Sequence, residues 1–442
     1  MERDRLIAYE QLCFRPVVSG APDLEDSDEC SARLSSFVHL NDLCQSIAAL
    51  TPLQVLLILM ATTFVISGNG GQLLSLNLWV NHFPANVPPP YSILTLSAVT
   101  ISAAFLIAMV VRILLVRPRL TFLLSKKGLL LALLIGLSNS LNGVLLVFAT
   151  PSTPEILQAL LLCSSIFWTL LFSTVMLKDR RRVFTSVLVG LSFLLCSGGI
   201  VLGASPQFGG SSMASDKVYW TLIFAASMIP GALYNVFASM YMRSFTAPHR
   251  PKINDRGEDE AASPTDINPG GYYSAGVVIP RFSEPVADSC QSDDATVKLV
   301  MLGITGVSQV FWIFALLPLD SVPWFGGSSS IRGTIDNLRE GWDCVLRGDS
   351  GCSETYKYYV IFCTSYFMNY LGSSYLNHYS ATLNSMVTQL SSPVAAIVLL
   401  VAPALNVDAQ PLDAGSSIGA VMLLVAGALI FSIWEQGTRK NR

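Results

Sequence analysis

Side chains that donate and accept hydrogen bonds recur inside long apolar stretches of this chain, where each needs a partner. One group comprises Asn69, Gln72, Asn139, Asn142, Gln158, Ser164, Ser165 and Asn235; a second comprises Tyr366, Asn369, Ser373, Asn384, Thr388, Gln389 and Ser392. An unpaired polar group in hydrocarbon costs several kcal/mol, so such groups bond one another between helices or bond a solute held near the midplane of a bilayer. Taken singly, each fits an interhelical hydrogen bond. As a set, they fit the lining of a cavity that recognises a small polar solute.

Titratable residues border this set. Glu155, exposed to an acidic lumen, could bind a proton or a substrate amine and alternate its charge with access. Its place after Thr153-Pro154 also suits a plain helix start, with a capping hydroxyl, a first-turn proline and a first-turn carboxylate. His82 follows the first apolar stretch, and histidine changes charge between about pH 5 and 8; an interfacial histidine without a role is the plainer reading. His378 lies between the eighth and ninth stretches. Pro230-Gly231 and Pro393 can bend or break helices where gates move, although Gly and Pro are also common in static membrane helices. Gly68, Gly70 and Gly71 form no phosphate loop, since no GK[ST] sequence or strand accompanies them. Nothing resembles HExxH, a Walker loop or a nucleophile elbow, and four histidines leave little scope for a metal. The expectation is a protein that is not an enzyme and uses no metal or cofactor.

The elements that must position these residues follow from composition. With 52% hydrophobic and 13% charged residues and a mean hydropathy of +0.52, the chain is too apolar for a soluble multidomain protein of 442 residues. A helix needs about 20 apolar residues to cross the hydrocarbon. Ten such spans begin near Leu53, Ile93, Leu129, Ile156, Val183, Val218, Val297, Tyr356, Leu383 and Ser416. They divide into halves of five, residues 51–204 and 216–435. An odd count makes the second half enter the membrane inverted, the usual architecture of alternating-access carriers. The fold class expected is an all-α polytopic membrane protein, ten transmembrane helices in two inverted-topology five-helix repeats.

Internal similarity agrees with two repeats. Residues 139–165 slid onto 366–392 bring Asn142 onto Asn369, Thr153 onto Ser380, and Ser164-Ser165 onto Ser391-Ser392. Gly190 and Gly198 of the fifth span correspond to Gly419 and Gly427 of the tenth, an interval that lets helices approach closely.

Positive charge sets the orientation. With the amino terminus cytosolic, 22 of the 27 lysines and arginines fall on cytosolic segments, leaving Lys217, Arg332, Arg339, Arg347 and Lys357 for the other side. That asymmetry places both termini, residues 1–50 and 436–442, in the cytosol. No Lys or Arg lies deep in a span.

Residues 246–295 read as a disordered cytosolic insert, with too few apolar side chains to offset ordering. The loop 319–355 lies on the far side. Within it Ile331, Ile335, Leu338, Trp342 and Val345 repeat with a helical period, predicting an amphipathic helix along the membrane surface. Of the nine cysteines, this topology leaves Cys344 and Cys352 in an aqueous non-cytosolic compartment, where a disulfide is expected. Cys13, Cys30, Cys44 and Cys290 are cytosolic, and Cys163, Cys196 and Cys363 are packing residues within spans.

The acidic run Asp23, Glu25, Asp26, Asp28 and Glu29 takes the place of a signal-peptide core and argues against a transit peptide. Glu2 with Leu6-Ile7 fits an acidic dileucine pattern, and Tyr9 with Leu12 fits a tyrosine pattern. Both are read by sorting adaptors, partners expected at this tail, and both favour a vacuolar or lysosome-like membrane over a plastid.

The run from Trp342-Asp343-Cys344 through Cys352 into Tyr356, the span containing Asn369, and Tyr379-Ser380-Ala381-Thr382-Leu383 on to Ser391-Ser392-Pro393-Val394-Ala395-Ala396-Ile397 together resemble the chloroquine resistance transporter family of the drug/metabolite transporter superfamily. The resemblance covers most of residues 50–435 and is clearest over 340–400. It implies ten helices in two inverted repeats around a cavity lined by spans 1 to 4 and 6 to 9. It also implies proton-coupled export of amino acids, peptides, glutathione-like thiols or cationic drugs towards the cytosol. The malarial member has two lumenal cysteine pairs where this chain has one, and lacks the long insert between spans 6 and 7. The expected partners are a small-molecule substrate, protons and the lipid bilayer, with no nucleic acid. The alternatives are a nucleotide-sugar or sugar-phosphate exchanger, which would favour cations in the cavity, and a non-transporting membrane sensor.

Overall fold

The computed structural model describes residues 52–84, 90–118, 120–123, 125–177, 186–208, 214–246, 292–348, 352, 354–379, 381–402, 405 and 414–440. The sorting residues Glu2, Leu6, Ile7, Tyr9 and Leu12, most of the 246–295 insert and the side chain of His378 lie outside them. The described residues are helical, apart from short turns and one isolated bridge between Thr246 and Ser292.

In chain order the helices are α1 (Pro52–Asn81), α2 (Pro90–Val116), α3 (Lys126–Ala149), α4 (Glu155–Leu162), α5 (Ser165–Met176), α6 (Val187–Phe208), α7 (Ala214–Phe245), α8 (Asp294–Ala315), α9 (Ile331–Arg347), α10 (Thr355–Tyr379), α11 (Ala381–Val401) and α12 (Ala414–Lys440). The chain divides into two compact units, Met1–Met60 with Ile433–Arg442, and Ala61–Ser432. In the first, residues 52–60 and 433–440 are helical, and Leu53, Leu56 and Leu59 are exposed. The second holds everything that follows.

Among the described residues, six helical segments are long and apolar enough to cross a membrane: Leu56–Asn81, Pro90–Val116, Lys126–Ser152, Leu157–Met176, Val218–Phe245 and Asp294–Ser321. The apolar parts of α6, α11 and α12 are shorter, Val187–Leu202, Leu383–Leu399 and Ile418–Phe431. Helix α10 is too polar to qualify, because tyrosines and amides such as Tyr366, Asn369, Tyr370 and Asn377 replace aliphatic side chains. Exposed Leu114, Leu115, Val187, Leu194 and Met422 leave broad apolar surface outside the core, surface that hydrocarbon rather than water accommodates. The chain is a multi-pass helical membrane protein.

Close helix contacts position the interior. A Cβ on Gly68 of α1 would lie 2.5 Å from the backbone nitrogen of Asn369 in α10, so glycine permits this backbone-to-backbone approach. Where α6 meets α12, the expected glycines of α12 make the close contacts, Gly419 against Leu202 and Gly427 against Cys196, whereas those of α6 do not. Gly190 and Gly198 have nothing within 4 Å of an added Cβ, whereas Gly199 abuts the Ala420 carbonyl at 2.9 Å and Gly427 abuts the Cys196 sulfur at 2.6 Å. A helical period identifies one face, and here the packed face is rotated by one residue at Gly199.

Helix α8 begins at Asp294, ahead of the expected Val297, because Asp293 caps it by accepting the Thr296 N–H at 3.2 Å. Its start lies beside the end of α7, where the Ser292 N–H donates to the Phe245 carbonyl at 3.1 Å. Lys298 is thereby 8% exposed, buried in the first turns of the helix.

Helix α9 is bounded by an N-cap at Ser330, which accepts the Gly333 N–H, and by left-handed Gly348 at φ 68°. Its carboxyl half sits on the start of α2. Trp342 Nε1 donates to Thr95 Oγ1 at 3.0 Å, and a Cβ at Gly341 would lie 2.0 Å from Ser92 Oγ. Val345 is buried, while Ile331 and Ile335 are exposed. The period is helical as expected; its partner is protein for one half of the stripe. Cys344 and Cys352 form a disulfide with a Cα–Cα distance of 5.4 Å, tying the end of α9 to the approach of α10.

Candidate functional site

The fourth span is interrupted. Helix α4 ends at Leu162 and α5 starts at Ser165. Across the break, the N–H groups of Cys163, Ser164 and Phe167 bond three residues back, to Leu160 at 3.1 Å, Leu161 at 2.9 Å and Ser164 at 3.2 Å. Tightening a turn in this way releases backbone carbonyls from the α-helical pattern. Gln389 of α11, itself buried, donates its Nε2 to the Cys163 carbonyl at 2.5 Å. One turn away, Ser385 donates to Thr169 Oγ1 at 2.9 Å. The Ser164 hydroxyl is buried without a hydrogen-bond partner among the described residues.

The expected hinge positions behave differently. Pro230 and Pro393 each lie inside a continuous helix, α7 and α11. Gly231 lies against Asn142, whose Nδ2 would be 3.0 Å from an added Cβ. The same Nδ2 donates to the Ser227 carbonyl at 2.7 Å. Nearby, Asn384 Nδ2 donates to Asn235 Oδ1 at 3.0 Å, joining α11 to α7.

A second amide group joins α1, α10 and α11. Asn69 Nδ2 donates to Ser391 Oγ at 2.5 Å and Asn369 Nδ2 to Gln72 Oε1 at 2.7 Å, while Ser373 donates to Asn369 Oδ1 at 3.2 Å. Ser391 in turn bonds the Thr388 carbonyl. Ser392 is buried beside this group, and Ser165 is half-buried at the head of α5.

A third group joins α3, α7, α8 and α10. Gln309 Nε2 donates to the Tyr366 hydroxyl at 3.0 Å, and Asn139 Nδ2 reaches it at 3.5 Å. Tyr366 donates to the Tyr370 hydroxyl at 3.1 Å. The ring centroids of Tyr366 and Tyr370 are 4.6 Å apart and edge-on, and Tyr234 of α7 lies 5.6 Å from Tyr370. Asn139, Tyr234, Tyr366 and Tyr370 are all partly exposed.

Gln158 stands apart from these groups. It is wholly buried, and its Nε2 lies within bonding distance of the Thr153 carbonyl at 2.6 Å, the Thr150 carbonyl at 3.0 Å and Asn77 Oδ1 at 3.1 Å. Asn77 Nδ2 returns a bond to Gln158 Oε1 at 3.2 Å. This reciprocal pair pins the start of α4 to α1.

The Thr153 hydroxyl does not cap α4, contrary to the sequence expectation. Pro154 occupies the cap position without a side-chain bond, and Thr153 Oγ1 is buried without a partner among the described residues. Glu155 opens the helix and is 5% exposed. His82 bridges α1 and α10, with Nδ1 2.7 Å from the Leu78 carbonyl and Nε2 3.4 Å from the Tyr358 hydroxyl.

Charge gathers at the start of α8. Arg112 of α2 pairs with Asp293 at 2.8 Å. Burial opposes ionisation of Asp293, but hydrogen bonds from Thr296 and Arg112 and the Arg112 charge outweigh it and hold the carboxyl below its usual range. Lys298 pairs with Asp294 and lies 4.2 Å from the centroid of the Tyr375 ring. Among the described residues, no three His, Cys, Asp or Glu side chains come together as a metal site would require.

Asn77, Tyr234, Gln309 and Tyr370 belong to these networks and were not singled out from sequence. Tyr370 carried a signal, lying one helical turn after Tyr366.

Helical crossings with amides, hydroxyls and a broken helix between them define a polytopic membrane protein. Comparison with known proteins adds a partial likeness: residues 92–247 match the model of the CRT-like, chloroquine-resistance transporter-like family. Two curated relatives from Dictyostelium discoideum agree. Crt homolog 3 is 31% identical over 111 residues, 25% of this chain and 22% of the relative. Crt homolog 1 is 32% identical over 104 residues, 24% of this chain and 21% of the relative. The matched part of the chain thus spans about a fifth of each relative's length. The family match lies largely in the first half, whereas the resemblance read from sequence was clearest over 340–400. A solved crystal structure aligns with a TM-score of 0.43 at 15% identity, covering 86% of this chain and 96% of that one.

Proposed function

We propose that the protein is a secondary transporter that moves small polar or cationic solutes across an organelle membrane by alternating access. The observation that carries this reading is the break at Cys163-Ser164, bridged by Gln389 and neighboured by amide networks from α1, α10 and α11. Interrupted helices with freed carbonyls inside a bundle are where carriers hold substrates and coupling ions.

Ten spans in two inverted repeats remain part of the proposal. Support comes from paired contacts: α3 packs on α7 as α10 packs on α1, and α5 packs on α7 as α11 bonds α1 through Asn69. These are the pairings that a pseudo-twofold exchange of two five-helix halves requires. On this reading both termini are cytosolic, and the membrane is vacuolar or lysosome-like. Substrate and protons pass from lumen to cytosol, with Glu155 and His82 as the titratable candidates. The family's names point to transport rather than catalysis.

The phosphate-exchanger alternative needs a cation in the cavity. Lys298 is the buried cation among the described residues of α8, and Asp294 and Tyr375 already engage it, which favours neutral or cationic solutes. The deciding experiment is uptake of labelled basic amino acids, short peptides and glutathione into proteoliposomes, with and without a pH gradient and a membrane potential. Gradient-stimulated uptake of one class is expected; binding without flux would leave a sensor.

A further inference from the structure

We infer that the Tyr370 hydroxyl is a substrate-binding donor that selects solutes carrying a carbonyl or carboxylate oxygen; this deepens the transport reading and rests on it. The direction of the hydrogen-bond chain carries the inference. Gln309 Nε2 can only donate, so the Tyr366 oxygen accepts from it at 3.0 Å. Asn139 Nδ2 reaches the same oxygen at 3.5 Å, so both of its lone pairs are engaged and the Tyr366 proton goes to Tyr370, at 3.1 Å. The Tyr370 oxygen is thereby the acceptor of that bond, and its proton meets no acceptor among the described residues.

A donor at the end of a chain of hydrogen bonds is polarised by the bonds behind it. It seeks an oxygen, and an amine alone offers none in its protonated form. The Tyr370 side chain is also partly exposed. The Tyr234 ring, 5.6 Å from that of Tyr370, supplies an adjoining wall. Both the carboxylate of an amino acid and the neutral carbonyl of a peptide or amide meet the requirement.

The test compares lysine, lysinamide and cadaverine, which share an amine-bearing chain and differ in the oxygen they carry. Binding to the purified full-length protein in detergent is measured for wild type, Tyr370→Phe and Tyr366→Phe, with uptake of the same three into proteoliposomes. Wild type is expected to prefer lysine or lysinamide over cadaverine by about tenfold, the worth of one good hydrogen bond. Tyr370→Phe loses that preference; Tyr366→Phe, which cuts the chain behind the donor but leaves the Tyr370 hydroxyl in place, weakens it. A preference for lysine over lysinamide assigns carboxylate, and equal binding assigns carbonyl. Absence of any preference in wild type, or its survival in Tyr370→Phe, overturns the inference. Preference without flux retains this site and removes the transport reading instead.

Discussion

Gln389 Nε2 reaches across from α11 to the carbonyl of Cys163, 2.5 Å away, at the point where the fourth span breaks. Removing the amide leaves a buried carbonyl without its partner, at a cost of roughly 1–3 kcal/mol. Gln389→Leu is therefore expected to lower the melting temperature of the purified protein and to reduce the maximal uptake rate. Gln389→Asn, too short to reach, should behave similarly. Wild-type stability in both variants would show that the bond does not support the break.

The close passage of α1 and α10 makes Gly68 sensitive. An added methyl would sit 2.5 Å from the Asn369 nitrogen, with the Ser365 carbonyl at 2.7 Å. Backbone atoms cannot yield as a side-chain tip can, so Gly68→Ala should cost about 1–3 kcal/mol through overpacking. The same displacement pulls Asn369 from Gln72, and substrate affinity should fall with stability. Gly198→Ala, with open space around it, is the matched control and should change neither.

The helices were legible because length and apolarity are local properties: each expected span has a helix in the structure, although α10 is too polar to rank as a crossing on hydropathy. What a side chain faces was not legible. Gln158 is as polar as Gln72, yet it is spent on Asn77 and the turn carbonyls of residues 150 and 153. The break at Cys163-Ser164 had no proline to announce it. Pro230 and Pro393, expected to bend or break their helices, lie within continuous ones. A helix ends where its carbonyls find better partners, and Gln389 lies far away in sequence.

The Cys344–Cys352 bond closes a short loop between α9 and α10. Loop-closure entropy for so short a segment gives roughly 2–3 kcal/mol of stabilisation. Cys344→Ser and Cys352→Ser should each lower the melting temperature to the value of the double variant. Thiol labelling of both positions is expected only after reduction. Unequal single variants, or labelling without reductant, would contradict a standing bond.

The Arg112–Asp293 pair links α2 to α8, and the carboxyl of Asp293 is held below its usual range. Because the folded form favours the ionised carboxyl, the pair stabilises at neutral pH. That contribution is lost as pH falls below the ordinary carboxylate value of 3.8. Both side chains are partly exposed, so solvent screening limits the effect to about 1 kcal/mol or less. Arg112→Gln should thus lower stability slightly at pH 7, less at high salt, and approach wild type in acid. A deficit that persists in acid would point to packing instead of charge.

Glu155 opens α4 at 5% exposure, on the turn that Gln158 ties to α1. If its carboxyl carries the coupled proton, Glu155→Gln fixes the neutral form and separates two quantities that wild type links. Uptake driven by a pH gradient should fall to the level seen without one, while exchange of substrate between two equally buffered compartments continues. Since the glutamine keeps nearly the same shape, the melting temperature should move little. His82→Gln provides the contrast: its imidazole lies at the end of α1 against Tyr358, and it should shift the pH at half-maximal uptake only if it shares the proton. Gradient-stimulated uptake retained in both variants would place the coupling proton on neither residue.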